Sequence, residues 1–186
     1  MLDFIDIKTV WLIIHLFGVA LGAGGAFASD AMFFSSVRDK KFSKTEIRFL
    51  KLGSILVWTG LTILIISGLG LFSLAPEKYL ASSKFIAKMI IVAIIVINGT
   101  IMHLYQLPLI VQTVDKKFSA SKKFMKNRSW ILLGGAISVT SWSFSIILGT
   151  LKTIPYSVTT ILSVYILAII VAISTAQVLK RYIFGR

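Results

Sequence analysis

Apolar residues along this chain come in long unbroken runs, and the charged residues gather in clusters between them. The runs lie at about Thr9–Ser35, Leu50–Leu74, Phe85–Thr113, Trp130–Leu151 and Tyr156–Leu179. Each has roughly 20 residues or more, the length needed to cross a hydrocarbon core about 30 Å thick. Inside lipid a backbone must satisfy its own hydrogen bonds, so runs of this kind are helices. The pattern predicts an all-α fold, a polytopic membrane bundle of five transmembrane helices forming a single transmembrane domain over residues 1–186.

Local signals mark several helix starts. Ser43-Lys44-Thr45-Glu46 fits a capping box ahead of the second run. Ser82 or Ser83 is placed to cap the third, and Pro155 suits the first turn of the fifth. The three prolines, Pro76, Pro108 and Pro155, all fall at or near span ends.

Composition agrees with the runs. Hydrophobic residues make up 56% of the chain, and the mean hydropathy is +0.89. The first run is too long for a cleavable signal peptide and follows an acidic-leaning leader, MLDFIDIK, so it reads as a retained span. With no cysteine in the sequence, disulfides, thiolate metal sites and thiol nucleophiles are excluded. There is no nucleotide-binding motif, no Ser-His-Asp set and no cluster of carboxylates within the runs, so nothing points to hydrolysis.

The net charge of +13 is chiefly a topology signal. Arg38, Lys40, Lys41, Lys44, Arg48 and Lys51 follow the first run, and Lys116, Lys117, Lys122, Lys123, Lys126 and Arg128 follow the third. With Lys180, Arg181 and Arg186 of the tail they place fifteen of the 20 basic residues on one side. Only Lys8, Lys78, Lys84, Lys88 and Lys152 fall on the other. The positive-inside rule then predicts an outside amino terminus and an inside carboxyl terminus in a cell membrane of prokaryotic type. Short basic loops lying on an anionic leaflet account for the charge, so the expected partner is the lipid bilayer and not nucleic acid. Self-association as a homo-oligomer stays open.

The first run, WLIIHLFGVALGAGGAFASD, carries the chemistry. His15, Gly18, Gly22, Gly25 and Ser29 recur at spacings of three and four and form one helical stripe. Small residues in a membrane helix admit a close neighbour, which is either another helix or a flat cofactor with His15 as its ligand. The only other histidine, His103, shares a face of the third run with Lys88, Val92, Gly99 and Gln106. By helix rise from Lys8 and Lys88, the two histidines sit about 12 Å apart in depth, which disfavours one iron held by both. Lys84 and Lys88 are placed to snorkel outward, Asn98 lies near the midplane, and Asp30 reads as the end of the first run. Met32, Met89 and Met102 are soft candidate ligands, and Met89, near the depth of His15, is the best placed. Gly134, Ser138, Ser141, Ser145 and Gly149 form a second small-residue stripe, suited to helix packing.

His15-x-x-Gly18 followed by Gly24-Gly25 resembles the first helix of the CopD-like (copper-resistance protein D) and HemJ-like (protoporphyrinogen-oxidase-like) membrane proteins. RFLKLGSILVWTGLTILIISGLGLF resembles their next helix, and KFIAKMIIVAIIVING resembles their third, with Lys88 at its lysine. The likeness covers roughly the first 110 residues. It implies a membrane protein that handles haem, a porphyrin or copper, with His15 and Lys88 as a functional pair.

Three functions follow as expectations. One is haem b or porphyrin binding with a redox role, His15 being the axial ligand and Gly18, Gly22, Gly25 and Lys88 completing the cofactor site. A second is a copper or cation path using His15, His103 and Met89. The third is a non-catalytic assembly subunit whose histidines cross-link helices.

Overall fold

The computed structural model describes residues 6–38 and 41–184. Lys40 and Arg186, and the side chains of Arg38 and Arg181, lie outside the described residues.

Five helices are long and apolar enough to cross a membrane, and together they form an all-α bundle. They are α1 (Ile7–Arg38), α2 (Lys44–Ser73), a third span covering Ser83–Val111, α6 (Lys122–Thr150) and α7 (Val158–Phe184). The third span is compound: α4 (Ser83–Ile101), a π-helical turn over Met102–Gln106, then α5 (Leu107–Val111). A short helix α3 (Pro76–Leu80) links the second and third spans. Among the described residues no strand occurs, only isolated bridges from Lys41 to Lys117 and from Phe42 to Val114.

The helix starts follow local chemistry. Ser43 Oγ accepts from Glu46 N, and the Glu46 carboxylate accepts from Ser43 N at 2.7 Å, completing the capping box. Ser82 caps α4 through the Phe85 N–H. Asp6 caps α1 by accepting from Thr9 N at 2.7 Å. Pro155 does not open α7 as the sequence suggests. Ser157 does, by taking the Thr160 N–H, and the proline lies in the connection before it. The fourth span also starts earlier than Trp130: Ser121 Oγ accepts from Phe124 N, adding two basic turns to the helix.

Pro108 explains the π turn. It has no N–H for the Leu104 carbonyl, and its ring crowds the preceding turn. The helix widens there, so Leu107 N–H reaches Met102 O, five residues back.

Two apolar clusters hold the bundle. The central one joins Ala23, Ala26 and Leu61 to Ile91, Ile95, Trp142 and Tyr165. The other closes the basic end, where Phe42 meets Phe118 at a tilt and Phe124 edge-on, at centroid distances of 5.0 and 6.1 Å. Outward faces carry Phe17, Ile66, Leu69, Leu167 and Val171, all more than half exposed, as a lipid-facing surface requires.

Candidate functional site

Helices α1 and α2 form the tightest pair, antiparallel, and glycines on both sides set their spacing. A Cβ added at Gly60 would lie 2.6 Å from Gly22 Cα, and one at Gly25 would lie 3.1 Å from Gly53 O. At Gly22 an added Cβ would also meet the Trp142 ring at 2.5 Å, and at Gly18 it would press on Leu64 at 3.0 Å. The faces of Gly18, Gly22 and Gly25 are thus filled by protein. Here the stripe is a helix-packing surface, one of the two neighbours expected for it.

That packing fixes His15 against α2. Its Nδ1 lies 3.0 Å from Ser67 Oγ. The single hydroxyl proton of Ser67 goes to the Ile63 carbonyl at 2.6 Å. With the proton so placed, the serine oxygen is left to accept from the Nδ1–H tautomer of His15. A neutral imidazole protonated on Nδ1 carries its lone pair on Nε2, and Nε2 has no hydrogen-bond partner among the described residues. The side chain is half-buried. A histidine held in this way by a hydroxyl from a neighbouring helix is oriented to ligate through Nε2.

Lys88 is on the third span, in α4. It is half-buried, and its ammonium lies 3.6 Å from where a Cβ on Gly149, in the last turn of α6, would be. Lys84, one turn earlier, binds the carbonyls of Leu151 and Lys152 and closes the end of α6. Met89 is 42% exposed on the outer surface of its helix.

His103 belongs elsewhere. Its Nδ1 lies 2.7 Å from Ser54 Oγ, and its ring meets Trp58 edge-on at 6.4 Å. Ser54 and Ser67 are thirteen residues apart on one unbroken helix, about 20 Å by helix rise. The two histidines therefore serve two separate places, further apart than the 12 Å read from the sequence. His15, His103 and Met89 form no common ligand set, and among the described residues no group of three His, Cys, Asp or Glu side chains converges.

The basic half of the bundle holds a cavity of about 110 Å³ between α1, α2, the third span and α6. Asp30, Asn98, His103, Gln106 and Ser138 line it, with Trp58 and Trp142. Asp30 is not the end of the first span, since α1 continues two turns beyond it to Arg38. Its Oδ1 rests against Gly135, and Gly134 makes room for the Gln106 amide. Ser141 of the second stripe bonds Tyr165 of α7 at 2.8 Å, as a packing stripe should, and Ser145 is half-buried.

Sequence reasoning missed Ser67 and Ser54, because a lone serine on an apolar helix carries no signal until its partner is placed. Asp30 was visible but read as a boundary. Comparison with family models, curated proteins and solved structures returns no match for this chain.

Proposed function

We propose that this multi-pass membrane protein binds haem b, or a related porphyrin, through Nε2 of His15. The observation that carries the reading is the contact of His15 Nδ1 with Ser67 Oγ at 3.0 Å: with the serine proton on the Ile63 carbonyl, the Nδ1–H tautomer fits and leaves the lone pair on Nε2. In this reading the Lys88 ammonium, half-buried on the third span, pairs with a propionate. This is the pair that the resemblance to CopD-like and HemJ-like proteins implies. The glycines act indirectly, locking α1 on α2 so that His15 keeps its register. A bound haem would supply one-electron redox chemistry; the chain itself supplies the oriented imidazole, a cation and an apolar surround. The charge asymmetry supports an arrangement with the amino terminus outside a prokaryotic-type cell membrane.

A haem titration in detergent tests the reading. Wild type should develop a saturable Soret band, and His15→Ala should abolish it. Lys88→Ala should only weaken affinity, by about 1.5–3 kcal/mol, the worth of one hydrogen bond to a charged group. His103→Ala should bind like wild type. Binding undiminished in His15→Ala, or no binding in wild type, overturns the proposal. Stoichiometric copper on the colourless protein would favour the metal-path function instead.

A further inference from the structure

The cavity in the basic half is built from different residues, and two of its buried oxygens have no donor among the described residues. Asn98 gives its Nδ2 to the Gly134 carbonyl at 3.0 Å, and Gln106 gives its Nε2 to the Trp130 carbonyl at 3.1 Å. Only an NH₂ can face a carbonyl, so both amides are fixed with their oxygens left as acceptors. Ser29 spends its hydroxyl proton on the Gly25 carbonyl. Asp30 Oδ2 and Gln106 Oε1 are fully buried and receive no hydrogen bond among the described residues. Unpaired acceptors inside a membrane bundle are costly, a charged one most of all. Here both residues line one cavity.

We propose that this cavity binds a single alkali cation, held by oxygen atoms of Asp30, Asn98 and Gln106. Each property of the site selects that class. The ligands are hard oxygens, which suits alkali and alkaline-earth ions and not the soft or borderline metals that need thiolate or clustered imidazole. One carboxylate lines the space, so one positive charge leaves the buried site neutral, whereas a divalent ion leaves it charged in a low dielectric. A volume of about 110 Å³ holds an ion with a few waters completing its shell. Trp58 and Trp142 border the same space. Gly134 and Gly135 are the device that makes the site: without side chains, they let the Gln106 amide and the Asp30 carboxyl lie against α6.

The purified protein in detergent is held in choline chloride, and sodium or potassium chloride replaces choline at constant ionic strength and pH. Tryptophan emission and the melting temperature are read, because two of the four tryptophans border the cavity. The expected result is a saturable change in both signals with sodium or potassium. Asp30→Asn should remove it, and Gln106→Met should raise the half-saturating concentration several-fold. A wild type that responds to sodium and potassium no differently from choline overturns the proposal. So does an unchanged response in Asp30→Asn, or, if that variant does not fold, in Gln106→Met. A signal that moves with pH alone makes Asp30 a proton site and also overturns it. No haem is present, so the result stands apart from the His15 reading.

Discussion

At the scale of single residues, the same residue types do opposite jobs within a few positions. Gly22 is buried between Gly60 and Trp142, whereas an added Cβ at Gly24 meets nothing within 4 Å. Gly22→Leu should therefore cost at least about 1–3 kcal/mol, the usual range for forcing volume into a packed contact. Gly24→Leu should be close to neutral, since its side chain enters lipid. Thermal melts of the two variants in one detergent check the pair, and equal destabilisation would contradict the packing described here. The stripe was legible from spacing alone, because glycines at three- and four-residue intervals must share a face. What covered it was not legible, because Gly53, Gly60 and Trp142 lie far away in sequence.

At the scale of elements, capping chemistry was read correctly where it is self-contained. Ser43 and Glu46 satisfy each other within four residues, and Glu46 also accepts from Ser36 Oγ at 2.7 Å, tying the end of α1 to the start of α2. Ser43→Ala should cost about 1 kcal/mol in unfolding free energy, measured by denaturant titration in mixed micelles. Where the element depends on a distant partner, the reading failed. Asp30 looked like a helix end because charge inside an apolar run has no local explanation, and its partner surface, Gly134-Gly135, is about a hundred residues on. The π turn is an intermediate case. Pro108 announces a disturbance, but that the helix would answer by widening, with Gln106 buried and His103 turned to Ser54, needs the packed bundle.

At the scale of the whole molecule, five spans follow from length and hydropathy, and the structure has five helices that meet those demands. The extension of α6 back to Lys122 puts a basic turn on the same end as Lys41, Lys44 and Lys51. Reporter fusions after Lys117 and at the carboxyl terminus should both be active only in the cytoplasm, and activity on the opposite side of the membrane would refute the orientation. The bundle separates its polar chemistry into two levels about 20 Å apart along α2: His15 with Ser67 near the sparsely charged end, and the Asp30 cavity near the basic end. Leu61, Ala26, Ile95 and Trp142 belong to the apolar cluster at the centre of the bundle.

The haem reading rests on which nitrogen of His15 carries the proton, and the chain has only two histidines, so the imidazoles are directly observable. Nitrogen-15 NMR of histidine-labelled protein, with His103→Ala to leave one ring, reports the tautomer without any ligand added. The predicted spectrum has a protonated, pyrrole-type Nδ1 and an unprotonated, pyridine-type Nε2, and Ser67→Ala should release this preference. A His15 ring protonated on Nε2, or on both nitrogens at neutral pH, would contradict the account.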